Sequence, residues 1–399
     1  MSDTDSLNLF IEINISEFIF IIVESSEDQA FKIIHKDSIQ TKGISNDRIT
    51  DLNLMFETLK KKIYLIEQKF NIIFSEVILV IDTFNCKTIN FSGYMKLNGS
   101  QLTKENITYI LNSLKSKINE IEKEKTIMHI FNCKYLLDKK EVENLPIGLF
   151  GNFYSHELSF FLIDNNDFKN LENVFNRCNL KVKKIISKSF IEGANIIKNK
   201  NNLDSFLKIE IKKKNTKIVV FENSSLKFIQ NFKFGSDIII NDISKVTGIK
   251  SEKISEILIN SDFDKKDLKD ELVEKKFFSQ ENYRKIRKKL LIEIANARIQ
   301  EMSEIILFKN INILGVLKKN IKILLNLSEK SYVKSLRNSY KILFSKNNYC
   351  DLEFLNNNLD DGLYSNANRI VQYGWKKEAV PVVQEKKTTI SRFFDYLFK

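Results

Sequence analysis

The chain has 399 residues, which is long enough for two or more domains that each bury a core. Its hydrophobic share of 43% and charged share of 29% are typical of a soluble globular protein, and no run is apolar for long enough to span a bilayer. The polar N-terminus does not fit a signal peptide. The net charge of +12 comes from lysines scattered over every segment, a distribution that disfavours a nucleic-acid groove but favours attraction to anionic lipid.

The cysteines and histidines show no spacing that indicates a metal site or a catalytic pair. No CxxC or HxxxH pattern occurs, so we expect free thiols and structural histidines, and we predict no metal. These isolated residues are Cys86, Cys133, Cys178, Cys350, His35, His129 and His156.

Strand and helix patterns predict an α/β half-domain at the start of the chain. In chain order the elements are strands at Leu7–Ile15, Phe18–Val23 and Ala30–His35, a helix at Asp47–Phe70 and a strand at Glu76–Asp82. The pattern of predicted elements then changes in the segment Asn85–Ile163, which predicts a small α+β insertion. Its elements are a strand near Thr88–Leu97, a helix at Thr103–Lys123 and strands at Thr126–Phe131 and Ser159–Ile163.

The opening pattern recurs in the second half. A helix, a strand and a helix are predicted at Asp167–Cys178, Val182–Ser187 and Phe190–Lys198. A hairpin and a third strand follow at Phe206–Lys212, Lys217–Glu222 and Leu226–Phe234. Two halves that begin alike predict a duplicated α/β fold with a cleft between its lobes. The later elements are helices at Ser236–Thr247, Ser251–Ile259 and Gln280–Phe308, a strand at Asn310–Val316, and a helix at Tyr364–Tyr373 that Gly374 ends.

The last residues predict an amphipathic helix that lies on a membrane surface. At 100° per residue the large apolar side chains of 389–399 fall in one arc, opposite charged residues. A terminal helix docked on the core is the alternative, which the charged, proline-containing stretch before it disfavours. Ordering such a tail costs ~10 kcal/mol or more, whereas partial burial of its apolar side chains gains only ~5–8 kcal/mol, so firm attachment requires many copies. The expected membrane-binding residues are Lys386, Lys387, Ile390, Arg392, Phe393, Phe394, Leu397, Phe398 and Lys399.

Four short motifs, in this order along the chain, resemble the FtsA family of bacterial cell-division proteins. They are LPIGLFG at 145–151 (NPVGLSG in the family), NRCNL at 176–180 (NRCGL), IANAR at 294–298 with Glu301 (IIEAR and a later Glu), and Tyr364 followed by VQYG at 371–374 (YxTAVGLLLYG). With the terminal helix they span nearly the whole chain. The resemblance implies an actin-like membrane anchor with the duplicated, ribonuclease H-like fold.

The resemblance also implies domain boundaries. They are 7–84, 164–203 and 345–375 for lobe 1, 85–163 for an inserted SHS2-type domain, 204–240 and 303–344 for the core of lobe 2, 241–302 for its small subdomain, 376–388 for a flexible linker, and 389–399 for the membrane helix.

The phosphate-binding turns of the family are degenerate in this chain. Actin-like ATPases use glycines there, so that backbone N–H groups reach the phosphates. Here the first turn reads EINISE from Glu12, and the second reads EIKKKNTK from Glu210, where the family has DIGGGTTD. The third keeps only Gly315 of a TGGG pattern. We expect Glu12, Glu210 and Gly315 to be vestigial or ordinary strand-end residues and hydrolysis to be lost, although weak ATP and magnesium binding stays possible.

By resemblance, the body polymerises at the inner face of the cytoplasmic membrane at the division site. It tethers the tubulin-like protein FtsZ and recruits later division proteins through the inserted domain. The C-terminal peptide of FtsZ is expected on the small subdomain, where a solvated helix face is the alternative role of the basic residues. Those residues are Arg284, Lys285, Arg287, Lys288 and Arg298. Three functional alternatives stay open, namely a pilus-assembly scaffold of the same fold, an ATP-binding ATPase of the superfamily, and a basic nucleic-acid binder.

Overall fold

The structure is a computed structural model. It describes residues 7–25, 31–82, 84, 86–200, 203–260, 271–278, 283–319, 321–327, 335–345, 351–355 and 362–379. The chain divides into two compact units, unit 1 (Met1–Lys188 with Asn368–Lys399) and unit 2 (Ser189–Ala367). No helix within the described residues has the length and the apolar run needed to cross a bilayer.

The elements of unit 1 begin with the N-terminal hairpin. Its strands are β1 Leu7–Ile13, β2 Glu17–Ser25, β3 Phe31–Gln40, β4 Ile44–Ser45, β5 Arg48–Ile49, β6 Glu76–Ile81, β7 Lys87–Lys96, β8 Lys125–Leu137, β9 Lys140–Val142, β10 Phe153–Asp164 and β11 Lys181–Ser187. Its helices are α1 Leu52–Phe70, α2 Lys104–Ile121 and α3 Asn165–Arg177. The division between the units falls at the start of α4 Lys188–Asn199 and inside the later helix α10.

In unit 2 a second hairpin follows α4. The strands of this unit are β12 Phe206–Ile211, β13 Thr216–Glu222, β14 Ser225–Phe232, β15 Lys322–Leu327 and β16 Leu352–Phe354. Its further helices are α5 Asp237–Thr247, α6 Ser251–Asn260, α7 Lys288–Ser303, α8 Leu314–Leu317, α9 Arg337–Phe344 and α10 Leu363–Tyr373. A 3₁₀ turn lies at Lys275–Phe278, and α7 runs into a π-helical turn at Glu304–Phe308.

The two units repeat one sheet. In unit 1 the strand order is β3-β2-β1-β6-β11, and in unit 2 it is β14-β13-β12-β15-β16. In each sheet the first three strands are antiparallel neighbours, and the last two run parallel to the central strand. The predicted duplication of the fold is confirmed.

The apolar runs of the sequence explain why the hairpin strands are central. In β1 the residues from Leu9 to Ile13 are all buried and all but Glu12 are apolar, which is typical of a strand covered on both faces. Helix α1 covers one face through Met55, Leu59 and Ile63. It begins at Asp51, whose carboxylate accepts the Leu54 N–H at 2.9 Å, as an N-cap does.

The segment between β6 and α3 forms its own antiparallel sheet, of order β7-β10-β8-β9, with α2 packed across one face. The packing is close because Gly93 of β7 has no side chain. A Cβ there would lie 2.4 Å from Cγ2 of Ile110. Strand β10 is longer than the predicted one and begins at Phe153 rather than Ser159.

Two sequence predictions in unit 2 are wrong. The strand expected at Asn310–Val316 is a turn followed by α8, because the Asn310 amide bonds to Ile306 O at 3.1 Å and so caps the preceding helical turn. The helix expected from Gln280 begins at Lys288 instead. Residues just before it are extended, since Val273 N–H donates to Ile286 O at 2.8 Å.

A wholly buried histidine lies in the inserted sheet. His156 Nε2 is 2.9 Å from Oδ1 of Asn132, an acceptor, so Nε2 carries the proton. Nδ1 has no partner within the described part of the chain. Burial, helped by the charge of Lys377, lowers the pKa of His156 to about 4.

This histidine predicts an acid-sensitive stability. Unfolded His156 binds a proton near its ordinary pKa of 6.5, whereas the folded residue resists protonation down to about pH 4. The free energy of unfolding should therefore fall as the pH drops through this window, by about 2 kcal/mol at pH 5. Urea titrations at pH 7 and pH 5 measure it. His156→Gln should lose this component and His35→Gln should keep most of it, whereas an equal pH dependence in wild type and His156→Gln would contradict the assignment.

Candidate functional site

The first hairpin turn, between β1 and β2, is filled by its own asparagine. Oδ1 of Asn14 accepts three hydrogen bonds, from Ser16 N at 3.0 Å, Ser16 Oγ at 2.9 Å and Glu17 N at 2.8 Å. A phosphate-binding turn offers consecutive N–H groups to the anion. In this turn two such groups already have an acceptor within the chain.

The acid at the base of the same turn is paired with a lysine. Glu12 is 1% exposed, and its Oε1 lies 2.7 Å from Nζ of Lys188, the first residue of α4. The Asn14 amide donates to the same oxygen at 3.2 Å. A carboxylate that would orient a metal ion or a water thus has an ammonium group beside it, and its charge is balanced within the chain.

The second turn, Lys212–Asn215 between β12 and β13, is closed by the start of α5. Its carbonyl groups accept backbone N–H bonds of 3.0 Å, Lys212 O from Ser236 and Lys213 O from Asp237. A Cβ at Gly235 would lie 2.1 Å from Lys212 O, so only glycine permits this approach. The turn itself contains no glycine, and the glycine that this close packing requires lies just before α5.

The other two predicted cofactor residues keep little of a nucleotide site. Glu210 at the end of β12 lies 3.7 Å from Nζ of Lys212, at salt-bridge distance. Gly315 lies in the short helix α8 without a positive φ, and a Cβ there would meet nothing within 4 Å. Its position therefore does not require glycine. Together with the filled first turn, these residues do not fit a magnesium–nucleotide complex.

The predicted partner-binding residues do not lie together on one helix. Arg284, Lys285 and Arg287 precede α7, Lys288 opens it, and Arg298 lies in its last third. A groove of about 380 Å³ separates α5 from α7 around Arg298. Its lining is Asp242, Lys245 and Val246 of α5 with Ile294, Ala297, Arg298 and Glu301 of α7.

The groove combines a fixed charge network with exposed apolar surface. The Arg298 guanidinium bonds to the carboxylates of both Asp242 and Glu301. Val246 beside it is 61% exposed. Arg298 therefore holds the two helices in register and is not an unpaired cation. The basic side chain on the opposite wall is Lys245.

A buried charge cluster was missed by sequence reasoning. Nδ1 of His129 in β8 is 2.7 Å from Oε1 of Glu378, and Nζ of Lys184 in β11 is 3.2 Å from Oε2. His129 Nε2 accepts the Ser187 N–H at 3.1 Å, so its proton lies on Nδ1 and is donated to Glu378. Burial raises the pKa of Glu378, but these two partners outweigh it and hold that pKa below the usual range.

The residues from 376 to 379 are therefore attached to β8 although we expected a linker over 376–388. The contact joins residues 249 positions apart, and no local sequence pattern around His129 or Glu378 predicts it. The rest of that linker and the terminal helix lie outside the described residues, and so do all nine expected membrane-binding residues, Lys386, Lys387, Ile390, Arg392, Phe393, Phe394, Leu397, Phe398 and Lys399.

No family model matches the chain. The sequence does match curated proteins that are named cell division protein FtsA. The protein of Buchnera aphidicola subsp. Schizaphis graminum is 22% identical over 246 residues, which cover 61% of this chain and 58% of that protein. The Escherichia coli K12 protein is 19% identical over 298 residues, covering 74% and 70%. The chain thus spans under two thirds of the length of the first of these relatives.

A solved structure shares the fold. The PilM–PilN type IV pilus biogenesis complex aligns with a TM-score of 0.50 and 8% identity, over 92% of this chain and 98% of that one. At this identity the likeness concerns the fold alone. The sequence relatives and the repeated sheet agree with the resemblance that the motifs indicate. The chain has the duplicated actin-like fold, and its sequence is distantly similar to FtsA proteins over part of its length.

Proposed function

We propose that this protein is a scaffold of bacterial cell division whose body works without nucleotide. Like the FtsA proteins it resembles, it attaches to the inner face of the cytoplasmic membrane, self-associates, tethers FtsZ and recruits later division proteins. The observation that carries the nucleotide-independent part is the first hairpin turn. There Asn14 accepts from the N–H groups expected to bind phosphate, and Lys188 pairs with Glu12, the acid expected to orient a metal ion.

Energies support the loss of nucleotide chemistry. Removing a single hydrogen-bond donor from a charge-stabilising site costs about 3–4 kcal/mol of transition-state stabilisation, and two donors are engaged here. Freeing Glu12 for a metal would require breaking a buried ion pair, at about 3–5 kcal/mol. Glu17 adds a negative charge next to the turn. In this proposal the fold is kept because its surfaces support assembly, and not for nucleotide chemistry.

Membrane attachment rests on residues 389–399. Five large apolar side chains gain about 5–8 kcal/mol on partial burial, and each cation near anionic lipid adds about 1 kcal/mol. The ordering cost of ~10 kcal/mol leaves weak binding for one copy. Several copies joined by self-association bind firmly through effective concentration. Polymerisation and membrane binding are therefore one function in this proposal.

The groove between α5 and α7 is the surface we assign to the FtsZ peptide. Exposed Val246 and the neighbouring Ile294 offer apolar contact, and Lys245 offers a cation for an acidic side chain. Arg298 acts by holding Asp242 and Glu301, and so keeps the walls in place. Arg284, Lys285, Arg287 and Lys288 are the cations that a longer acidic peptide would reach beyond it.

Titration calorimetry with ATP and magnesium tests the nucleotide-independent body. We expect no binding heat up to about 1 mM nucleotide, because the donors of the first turn and the charge of Glu12 are already satisfied. A micromolar dissociation constant would contradict the proposal. The same protein preparation must sediment with vesicles, so that a misfolded sample is not mistaken for a non-binder.

The filled turn also predicts a stability effect. Asn14→Ala removes the acceptor of two backbone N–H groups, and we expect the free energy of unfolding to fall by about 1 kcal/mol. Chemical denaturation measures the change. Asn119→Ala, at an exposed position of α2, is the matched control and should not lower stability, because alanine favours a helix. Equal effects of the two substitutions would show that the Asn14 bonds carry no stability.

Vesicle sedimentation tests the membrane anchor. Wild-type protein should pellet with vesicles of anionic phospholipid without nucleotide. Phe394→Glu should abolish pelleting and leave the thermal midpoint unchanged, because it puts a charge on the apolar face of a surface helix. Asp395→Asn, on the opposite face, is the control and should pellet. A Phe394→Glu protein that loses several degrees of thermal midpoint would instead place this side chain in the folded core.

A further inference from the structure

The inserted sheet has an open edge that a distant segment completes. Strand β8 pairs with β10 along its length, but β9 covers its other side only from Tyr135 to Leu137. Further along, Asn132 N–H donates to Lys377 O at 2.7 Å, and Ala379 N–H donates to Ile130 O at 2.8 Å. Residues 377–379 thus lie antiparallel to β8 as an added strand.

The two faces of this added strand are bound differently. On one face Ala379 is 7% exposed and joins the core of the inserted domain, and Nζ of Lys377 lies 5.0 Å from the centre of the Tyr135 ring. On the other face the Glu378 carboxylate lies between His129 of β8 and Lys184 of β11. The attachment is specific, but it consists of few contacts.

The connection to α10 has the form of a hinge. Gly374 ends the helix with φ +78°, its N–H bonds to Ile370 O at 2.9 Å, and a Cβ there would meet nothing within 4 Å. Glu378 N–H then donates to Trp375 O at 2.9 Å in a turn. A left-handed glycine in open space allows the chain beyond it to change direction without disturbing the helix.

We propose that residues 375–379 form a latch, a detachable edge strand that Glu378 holds on β8 between His129 and Lys184. The closed latch fixes the point on unit 1 at which the C-terminal segment leaves. Opening it leaves α10 and the five-stranded sheet of unit 1 unchanged. Short peripheral strands with few buried contacts open in this local way, below the free energy of global unfolding.

The latch also regulates the membrane anchor, a role that rests on the proposed function. With the latch closed, residues 380–388 reach at most about 30 Å from the inserted sheet, and with it open residues 376–388 reach about 45 Å. The latch therefore sets how far the body can stand from the lipid surface. Because it pairs with the inserted sheet, a partner that deforms β8 changes that distance.

Trp375 is the chain's single tryptophan, so its fluorescence reports the latch in the intact protein. Glu378→Gln keeps the size of the side chain and removes the charge held by His129 and Lys184. We expect a red-shifted emission, easier quenching by acrylamide, and exchange of the Asn132 and Ala379 amide protons about tenfold faster. The thermal midpoint of the body should change little.

Two further variants serve as a control and as a second test of the latch. Glu57→Gln removes an exposed carboxylate of α1 and should leave emission and exchange as in wild type. Lys184→Met removes only the partly exposed cation, and we expect a smaller change in the same direction. The latch is overturned if Glu378→Gln leaves both signals unchanged, or if the two amides exchange only with global unfolding, at the rate of amides in β1.

Vesicles separate the latch from the anchor. Energy transfer from Trp375 to dansyl-labelled lipid should be weaker in vesicle-bound Glu378→Gln than in wild type, since the open tether is longer. If wild type does not bind vesicles, the proposed anchor fails while the exchange and quenching results still decide the latch. If wild type and Glu378→Gln both bind vesicles and show equal energy transfer, the latch does not set the distance between the body and the lipid surface.

Discussion

Each unit of this protein depends on a central hairpin that is buried on both faces. In unit 1, β1 and β2 pair over seven residue positions, and in unit 2, β12 and β13 pair over six. Most buried side chains of these strands are apolar, so the backbone groups pair mainly with one another, and the buried pattern fixes the register. The hairpin ends are therefore fixed in position whether or not any ligand binds there.

A fixed turn still has backbone groups to satisfy, and the two hairpins satisfy them in different ways. In the first, the Asn14 side chain turns back on Ser16 and Glu17 and supplies the acceptor. In the second, the start of α5 supplies the donors to the carbonyl groups of Lys212 and Lys213. Both solutions are internal, so the geometry of each turn persists without an anion. The shape of both turns is kept by ordinary hydrogen bonds within the chain.

Much of this architecture follows from hydrophobic patterning. The order of hairpin, third strand, helix and parallel strand was readable because its apolar runs are long and bounded by polar residues, as at Glu76–Ile81. The Asx turn at Asn14 was also within reach, since asparagine before serine in a hairpin favours this local bond. The missing glycines predict a loss of phosphate donors, but they do not indicate that Asn14 and the start of α5 take up the hydrogen bonds of the two turns.

Other features depend on contacts that no local pattern encodes. Asn310 ends a helix by bonding to Ile306, so the apolar residues after it form a turn where periodicity alone predicts a strand. The pairing of His129 with Glu378 joins an inserted domain to a segment that reads as a charged tether. Composition predicts the solvated state for such a segment. Its burial depends on a sheet edge that is visible only after the fold is assembled.

In the proposed function, lysine pairing is what lets the body work without a nucleotide. A ligand stabilises a fold by an amount that grows with its concentration, so a body held by metal and phosphate responds to their supply. Lys188 is covalently part of the chain, and its Nζ lies 2.7 Å from Oε1 of Glu12. In the proposed function its contribution to stability therefore does not depend on the concentration of a ligand. What remains adjustable is the chain beyond α10, where Lys184 and His129 hold a carboxylate on a short edge strand. In this protein regulation is expected at the point where the C-terminal segment leaves the body, rather than at the hairpin turns.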